Sequence, residues 1–158
     1  MKTLRVFLGR AIYIFIYPVL ALYLRGSKRT RIIVGSKDKV LLIRNWLGDG
    51  QWTLPGGGLH NGEAPDVGAS RELLEETGLA INPSNFHAIG EVISGGFASS
   101  HELYFFETNL ESTPDIKMQW EVAEYHWQDI NDINELRLDK YTKQKILDWK
   151  INRGFDKI

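Results

Sequence analysis

The chain has 158 residues, a formal net charge of −1 at pH 7 and no cysteine. This length favours a single domain that is large enough to bury a substantial core. The near-neutral charge gives no electrostatic case for binding long nucleic acids, which usually need a basic face. Without cysteine the chain has no disulfide, no thiolate metal ligand and no cysteine nucleophile.

An apolar segment, residues 6–24, comes first and has basic residues on both sides. Its uninterrupted part, residues 11–24, is shorter than the roughly 20 residues that a membrane-spanning helix needs. The residues that follow offer a poor signal-peptide cleavage site. The sequence favours a helix, kinked near Pro18, that packs on the domain or on a second subunit. An anchor that lies on a membrane surface is the alternative that stays open.

The N-terminal segment therefore divides the chain into two predicted parts. Residues 1–29 are expected to form an apolar helical segment with a basic linker, and residues 30–158 a folded domain. We expect a cytoplasmic protein. Membrane association through residues 6–24 and a homodimer are the alternatives that this segment leaves open.

From residue 30 the pattern changes to short runs of β-branched and aromatic residues separated by turn residues. Strands are predicted at residues 31–34, 40–44, 52–54, 86–94, 102–107 and 125–127. Helices are predicted at residues 65–77, where Pro65 suits the first turn and Gly78 the position after the last, and at about residues 138–150. Because helices and strands mix without regular alternation, the sequence predicts an α+β fold with a mixed sheet held between helices.

The predicted helix at residues 65–77 crowds three carboxylates onto one face, because Glu72, Glu75 and Glu76 stand at positions i, i+3 and i+4. Like charges at these spacings destabilise an isolated helix by roughly a few tenths of a kcal/mol per pair. A solvated face paired with Arg71 would by itself be an ordinary explanation. The side of this helix that is predicted to be buried consists of Val67, Leu73, Leu74 and Leu79.

The loop before this helix favours a different explanation. Residues 54–63, LPGGGLHNGE, contain four glycines between a predicted strand and the helix, and glycines let backbone groups approach a ligand closely. The loop lacks the lysine of a phosphate-binding P-loop and faces the three acids instead. Carboxylates so placed suit a hard divalent cation, and Mg²⁺ often bridges carboxylates to substrate phosphates. The sequence therefore predicts that a bound cation balances the repulsion.

The window at residues 57–79 resembles the Nudix box, written G-x5-E-x7-R-E-U-x-E-E-x-G-U with U aliphatic. Every specified position matches, namely Gly57, Glu63, Arg71, Glu72, Leu73, Glu75, Glu76, Gly78 and Leu79. This resemblance implies a Nudix-type αβα sandwich over about residues 30–149, so that residues 30–158 form a Nudix hydrolase domain. It also implies metal-dependent hydrolysis of the pyrophosphate bond in a nucleoside diphosphate linked to another moiety.

The same resemblance implies a cofactor, Mg²⁺ with Mn²⁺ as a substitute, and roles for particular residues. The implied catalytic residues are Glu72 as a candidate general base, Glu76 as the most consistently essential acid, Arg71 as the residue that orients the acids, and Glu63 as a support of the loop. The implied metal ligands are the Gly56 carbonyl, Glu72, Glu75 and Glu76. An acid from outside the box is also expected, with Glu121 as the choice and Glu124 and Glu102 as further candidates.

Substrate contacts are expected from the loop glycines Gly57 and Gly58 and from Trp46 and Phe97, two aromatic residues in glycine-containing loops that could stack on a base. Trp52 and Trp127 lie in predicted strands and are expected in the core. The chain shows no subfamily signature, so nucleoside triphosphates, nucleotide sugars and capped or triphosphate RNA ends all stay open as substrates. The complete box favours an enzyme, and a catalytically weak nucleotide-binding module, free or at a membrane, is the alternative.

Overall fold

Five strands form one mixed sheet in the computed structural model, which describes residues 8–17, 19, 26–94 and 100–154. The strands are β1 (Lys28–Ser36), β2 (Lys39–Asn45), β3 (His87–Ser94), β4 (His101–Asn109) and β5 (Val122–Asp129). The helices are α1 (Pro65–Thr77) and α2 (Lys140–Asn152), with 3₁₀ turns at Pro83–Asn85 and Ile130–Glu135. The strand order is β3-β4-β1-β2-β5, with β1 and β4 parallel and the other neighbours antiparallel. The predicted α+β class is confirmed.

Alternate residues of the central strands point to opposite faces of the sheet, and a helix covers each face. Ile32 of β1 packs with Leu73 of α1 in one apolar cluster. Ile33 of β1 and Leu42 of β2 pack with Ile146 of α2 in the other. All five side chains are fully buried. The sheet therefore lies between the two helices, as the sequence predicts.

The sheet splits between β1 and β2, and the glycine-rich loop fills the gap. The two strands pair at the hairpin end. Further along, β1 bonds to the loop, because the Thr30 N–H donates to the Gly57 carbonyl at 2.8 Å and the Ile32 N–H to the Pro55 carbonyl at 2.9 Å. The loop is thereby held by backbone hydrogen bonds along the edge of a buried strand.

The strand predicted at residues 52–54 is wrong. Thr53 makes one antiparallel bridge to Ile43 of β2, and Trp52 makes one parallel bridge to Leu138. The chain changes partner after these bridges, and Pro55 has no N–H with which to continue a ladder. The other five predicted strands are confirmed, with ends that differ by at most three residues.

Helix α1 has the predicted bounds but not the predicted buried side. Pro65 lies in its first turn, and Gly78 ends it with a φ of 75° and an N–H that donates to the Leu74 carbonyl. Val67 and Leu74 are 46% and 47% exposed, so their predicted burial is wrong. The buried residues are Gly68, Ala69, Leu73, Glu76 and Thr77. Small residues on this side let the helix pack closely and turn Glu76 inward.

Helix α2 begins at Lys140, two residues later than predicted. Asp139 caps it, because one carboxylate oxygen accepts the N–H groups of Tyr141 at 3.0 Å and Thr142 at 3.1 Å. Such a cap satisfies backbone donors that have no partner within the helix. The capping carboxylate therefore sets the start of the helix.

Residues 8–17 are helical and lie against the loop that follows β2. Gly9 is buried there, and a Cβ on it would lie 1.6 Å from the Trp46 carbonyl oxygen. Except for residue 19, the rest of the predicted apolar segment at residues 6–24 lies outside the described residues. In the described part of the chain, the helices are too short or too polar to cross a membrane. The division into residues 1–29 and 30–158 stays a prediction.

Candidate active site

The glycine-rich loop, helix α1 and the residues before β5 line a cavity of about 740 Å³, here called the acid cavity. All three glutamates of the predicted acidic face line it. Its other main lining residues are Arg29, Arg31, Asn45, Gly56, Gly57, Gly58, His60, Arg71, Trp120 and Glu121. The fold thus gathers the loop and helix parts of the box in one concave site.

Gly56 connects the loop to Glu76 and requires a conformation that favours glycine. Its φ is 131°, and a Cβ there would lie 2.4 Å from the Thr30 carbonyl oxygen. The Gly56 N–H donates to Glu76 Oε2 at 2.7 Å. Its carbonyl accepts Arg31 Nη1 at 2.6 Å. The backbone of Gly56 therefore binds both the Glu76 carboxylate and the Arg31 guanidinium.

Glu76 is the most buried acid of the cavity, with 5% of its surface exposed. Burial raises the pKa of its carboxyl from an ordinary value near 4.5 to about 7. The Gly56 N–H and the Arg31 charge oppose this rise, whereas the charges of Glu72 and Glu121 add to it. A cation at this carboxylate would relieve the cost of burying it ionised.

Arg71 ties the loop to the helix through a network of charged hydrogen bonds. It binds Glu63 with two parallel bonds of 2.9 Å, a bidentate geometry that holds both side chains firmly. Its Nη1 donates to Glu72 at 2.9 Å and Glu75 at 3.0 Å, and its Nη2 donates to the Gly58 carbonyl at 2.8 Å. The pairing lowers the pKa of the Glu63 carboxyl to about 2. Arg71 and Glu63 therefore fix the position of the acids.

Glu72 packs against the loop backbone at Gly57. A Cβ on Gly57 would lie 2.3 Å from Glu72 Oε2, so the carboxylate occupies space that any other residue would fill. A Cβ on the neighbouring Gly58 would meet no heavy atom within 4 Å. Burial raises the pKa of the Glu72 carboxyl, and its hydrogen bond from Arg71 opposes the rise. The two glycines, both predicted as substrate contacts, therefore have different structural roles.

Of the three acids considered outside the box, the structure places one at the cavity. Glu121 lines the acid cavity, and its charge acts on Glu76. Glu124 instead pairs with Arg44. Glu102 accepts the Tyr104 hydroxyl at 2.7 Å and lies 3.4 Å from the Lys28 ammonium. Glu121 is therefore the off-box acid that is positioned to join the box glutamates.

The acid cavity offers the donor chemistry that Mg²⁺ prefers, namely carboxylate and carbonyl oxygens. In the conformation seen here, no three acidic or histidine side chains of the described residues are gathered closely enough to hold a metal. Arg71 holds Glu72 and Glu75, while Glu76 turns to the Gly56 N–H. The donor set therefore fits a hard divalent cation in kind.

The aromatic predictions have mixed outcomes. Trp46 is half-buried and does not line the acid cavity, but its ring lies 6.3 Å from that of Trp120, which does. Trp120 is 69% exposed and was missed by the sequence analysis. Phe97 lies outside the described residues. Trp52 and Trp127 pack against the two apolar clusters, as predicted.

Sequence reasoning also missed the basic side of the cavity. Arg29 belongs to the predicted basic linker and Arg31 to the strand predicted at residues 31–34, and neither is among the predicted site residues. Both lie in β1 and line the acid cavity. Their spacing of two residues places them on the same side of a strand, which is the signal that could have found them. Burial and the nearby Arg31 lower the pKa of Arg29 to about 10, so Arg29 remains cationic at neutral pH.

Comparison with known proteins agrees with the fold. The NUDIX domain family model matches residues 27–150. An oxidized purine nucleoside triphosphate hydrolase from Mus musculus is 35% identical over 101 residues, which cover 58% of this chain and 63% of that protein. The chain thus spans less than two thirds of the length of the mouse relative.

Two further similarities extend over more of the chain. An RNA pyrophosphohydrolase from Zymomonas mobilis is 31% identical over 128 residues, covering 73% of this chain and 78% of that protein. The crystal structure of a MutT protein from Methanosarcina mazei superposes with a TM-score of 0.69 at 21% identity, over 82% of this chain and 96% of that one. The structural likeness shows a common fold. The family model matches residues 27–150, and the Nudix box is complete and places Glu72, Glu75 and Glu76 in the acid cavity, so the chain belongs to the Nudix family.

Proposed function

We propose that this protein hydrolyses the pyrophosphate bond of a nucleoside diphosphate linked to another moiety, with nucleoside triphosphates as the first class to test. The observation that carries the proposal is the acid cavity, where three box glutamates face Arg29 and Arg31 across a glycine-rich loop. The names of two relatives support it, because one is a nucleoside triphosphate hydrolase and the other an RNA pyrophosphohydrolase.

The basic residues would bind the charged part of the substrate. Arg29 and Arg31 present guanidinium groups to the cavity, and such groups bind phosphate oxygens with directed hydrogen bonds. Gly57 and Gly58 allow the chain of the diphosphate to lie close to the backbone. Trp46 and Phe97 remain predicted contacts for a base.

The acidic residues would hold the cofactor and move the proton. Glu72, Glu75, Glu76, Glu121 and the Gly56 carbonyl are the proposed ligands of Mg²⁺, with Mn²⁺ as a substitute. A bound divalent cation would stabilise the negative charge that develops on the phosphate oxygens. Glu72 is the proposed base that accepts a proton from the water attacking phosphorus as the bridging P–O bond breaks. Arg71 and Glu63 keep that carboxylate in place, so catalysis would depend on positioning and electrostatics.

The test compares wild type with Glu76→Gln in Mg²⁺, Mn²⁺ and EDTA. Release of phosphate or pyrophosphate is measured from nucleoside triphosphates, nucleotide sugars and 5′-triphosphate RNA. We expect Mg²⁺-dependent turnover of at least one class that falls by about 100-fold or more in Glu76→Gln. Glu111→Gln, at an exposed position, is the matched control and should retain wild-type turnover.

Two results would contradict the proposal. Equal turnover in Glu76→Gln and wild type would show that the box acids are not the catalytic centre. Absence of turnover with any substrate, together with retained nucleotide binding, would favour the nucleotide-binding module. A cytoplasmic location, contact with a membrane surface and a homodimer remain predictions based on the N-terminal segment.

A further inference from the structure

A second cavity of about 330 Å³ adjoins the acid cavity and is here called the side cavity. The two cavities share Arg29, Arg31 and Asn45 as lining residues. The side cavity is also lined by Tyr13 from the N-terminal helical residues and by Asp139, which caps α2. A ligand whose phosphates lie between the two arginines would therefore extend naturally from one cavity into the other.

The side cavity contains buried hydrogen-bond acceptors that lack a partner. Asn45 Oδ1 and Asp139 Oδ2 are buried and have no hydrogen-bond partner among the described residues. The other Asp139 oxygen is already used in capping α2. Leaving such groups buried without a donor costs stability, so an unpartnered acceptor in a cavity indicates a ligand that donates. The expected ligand group carries N–H or O–H donors, as a nucleobase or sugar does.

Tyr13 reaches this cavity from outside the part of the chain that matches the family. Its side chain is half-buried, and burial raises the pKa of its phenol. The nearby Tyr17 and the charge of Asp49 add to this rise, and the charge of Arg29 opposes it. Both of these charged residues also line the side cavity. The helical residues pack against the rest of the chain at Gly9. The Gly9 backbone lies so close to the Trp46 carbonyl that no side chain fits there.

We propose that Tyr13 is a specificity-determining residue that contacts the group attached to the diphosphate. The inference rests on the proposed function, because a diphosphate in the acid cavity places its attached group toward the side cavity. An aromatic ring supplies a flat apolar surface for a base, and its hydroxyl supplies a hydrogen bond. The N-terminal helical residues thereby complete a substrate pocket that the Nudix domain by itself leaves open on one side.

The test measures binding to the full-length protein in the Glu76→Gln background, so that the ligand is not consumed. The ligands are four nucleoside triphosphates and inorganic tripolyphosphate, titrated in Mg²⁺ by calorimetry. Tyr13→Ala should raise the Kd of the best nucleoside triphosphate by about tenfold while leaving that of tripolyphosphate within about twofold. Tyr13→Phe should show a smaller loss, because it keeps the ring. Gly9→Val should reproduce the selective loss by displacing the helix from Trp46.

Phe15→Ala is the matched control, since Phe15 is an aromatic residue of the same helical stretch and is 84% exposed. It should change neither Kd. Equal nucleotide affinities in Tyr13→Ala and Phe15→Ala would overturn the inference. So would a Tyr13→Ala variant that loses as much affinity for tripolyphosphate as for nucleotide, or a Glu76→Gln protein that binds no nucleotide. Failure of the proposed function is seen separately, as absence of hydrolysis by the wild-type protein in Mg²⁺.

Discussion

The acid cavity and the side cavity share a wall but are built in different ways. Most chemically active residues of the acid cavity come from the continuous window at residues 57–79, and Arg71 links them by hydrogen bonds. The side cavity takes its residues from distant parts of the chain, from Tyr13 to Thr142. Most residues with reactive side chains in the acid cavity thus come from one short stretch of sequence, whereas the side cavity forms only when distant segments of the chain pack together.

The two cavities also differ in how their polar groups are satisfied. In the acid cavity, Glu72 and Glu75 are bound by Arg71, and Glu76 is bound by a backbone N–H. Asn45, which lines both cavities, and Asp139, which lines only the side cavity, each keep one buried oxygen without a hydrogen-bond partner in the described part of the chain. The satisfied network holds the acidic side chains in place, whereas the two unpartnered oxygens have no such support.

The largest expected effect comes from adding one methyl group to the acid cavity. In Gly57→Ala the new Cβ would collide with the Glu72 carboxylate, which must then move, whereas the Cβ of Gly58→Ala enters open space. A displaced carboxylate slows the chemical step strongly, and we expect kcat to fall by about 100-fold in Gly57→Ala but by less than about threefold in Gly58→Ala. In Gly58→Ala the added methyl group should instead raise KM, because Gly58 is a proposed substrate contact. Because the end of a flexible side chain can move cheaply, thermal unfolding should shift little in either variant. Equal activities would show that the Glu72 position is not set by this contact.

A smaller effect is expected from the acid that lies outside the box. Glu121→Gln removes a carboxylate from the acid cavity, and Glu124→Gln removes one that pairs with Arg44. We expect kcat/KM to fall by about tenfold in the first variant and by less than about twofold in the second, because Glu124 does not line that cavity. The Mg²⁺ concentration needed for half-maximal rate should rise in Glu121→Gln alone. A larger loss of kcat/KM in Glu124→Gln than in Glu121→Gln would show that Glu121 does not act with the box glutamates in the acid cavity.

The smallest effect is a pH-dependent change in stability at Glu76. Its folded-state pKa of about 7 lies above the ordinary value near 4.5, so the folded chain keeps a proton that the unfolded chain releases. The Glu76 contribution to stability therefore falls as pH rises from about 4.5 through 7. In EDTA at pH 8, Glu76→Gln should melt roughly 5 °C above wild type, and the two should converge near pH 4.5.

Differential scanning fluorimetry between pH 4.5 and 8 measures this difference. Glu111→Gln, the exposed control, should follow wild type across the range. Mg²⁺ should stabilise wild type more than Glu76→Gln, because a cation favours the ionised carboxylate. A variant that melts below wild type at every pH would show that burial of the ionised acid carries no cost.

Some features of the fold could be predicted because they depend on residues that are close together in the sequence. Helix α1 has its predicted bounds, since Pro65 and Gly78 mark its ends through their own backbone preferences. The prediction of a strand at residues 52–54 was wrong. Hydrophobic composition cannot show that these residues form only single bridges, one to Ile43 and one to Leu138. Val67 and Leu74 were placed inside, but small neighbours let the helix turn Glu76 inward and leave both residues half exposed.

The sequence by itself determined the family, the acidic face of α1 and the glycine loop in front of it, since each depends on spacing within one short window. Only the tertiary structure decided that Arg29 and Arg31 face those acids, that Glu121 and not Glu124 joins them, and that Tyr13 reaches the pocket. These contacts join residues far apart in the chain. They arise from strand pairing and helix packing, whose geometry is not written in any local pattern.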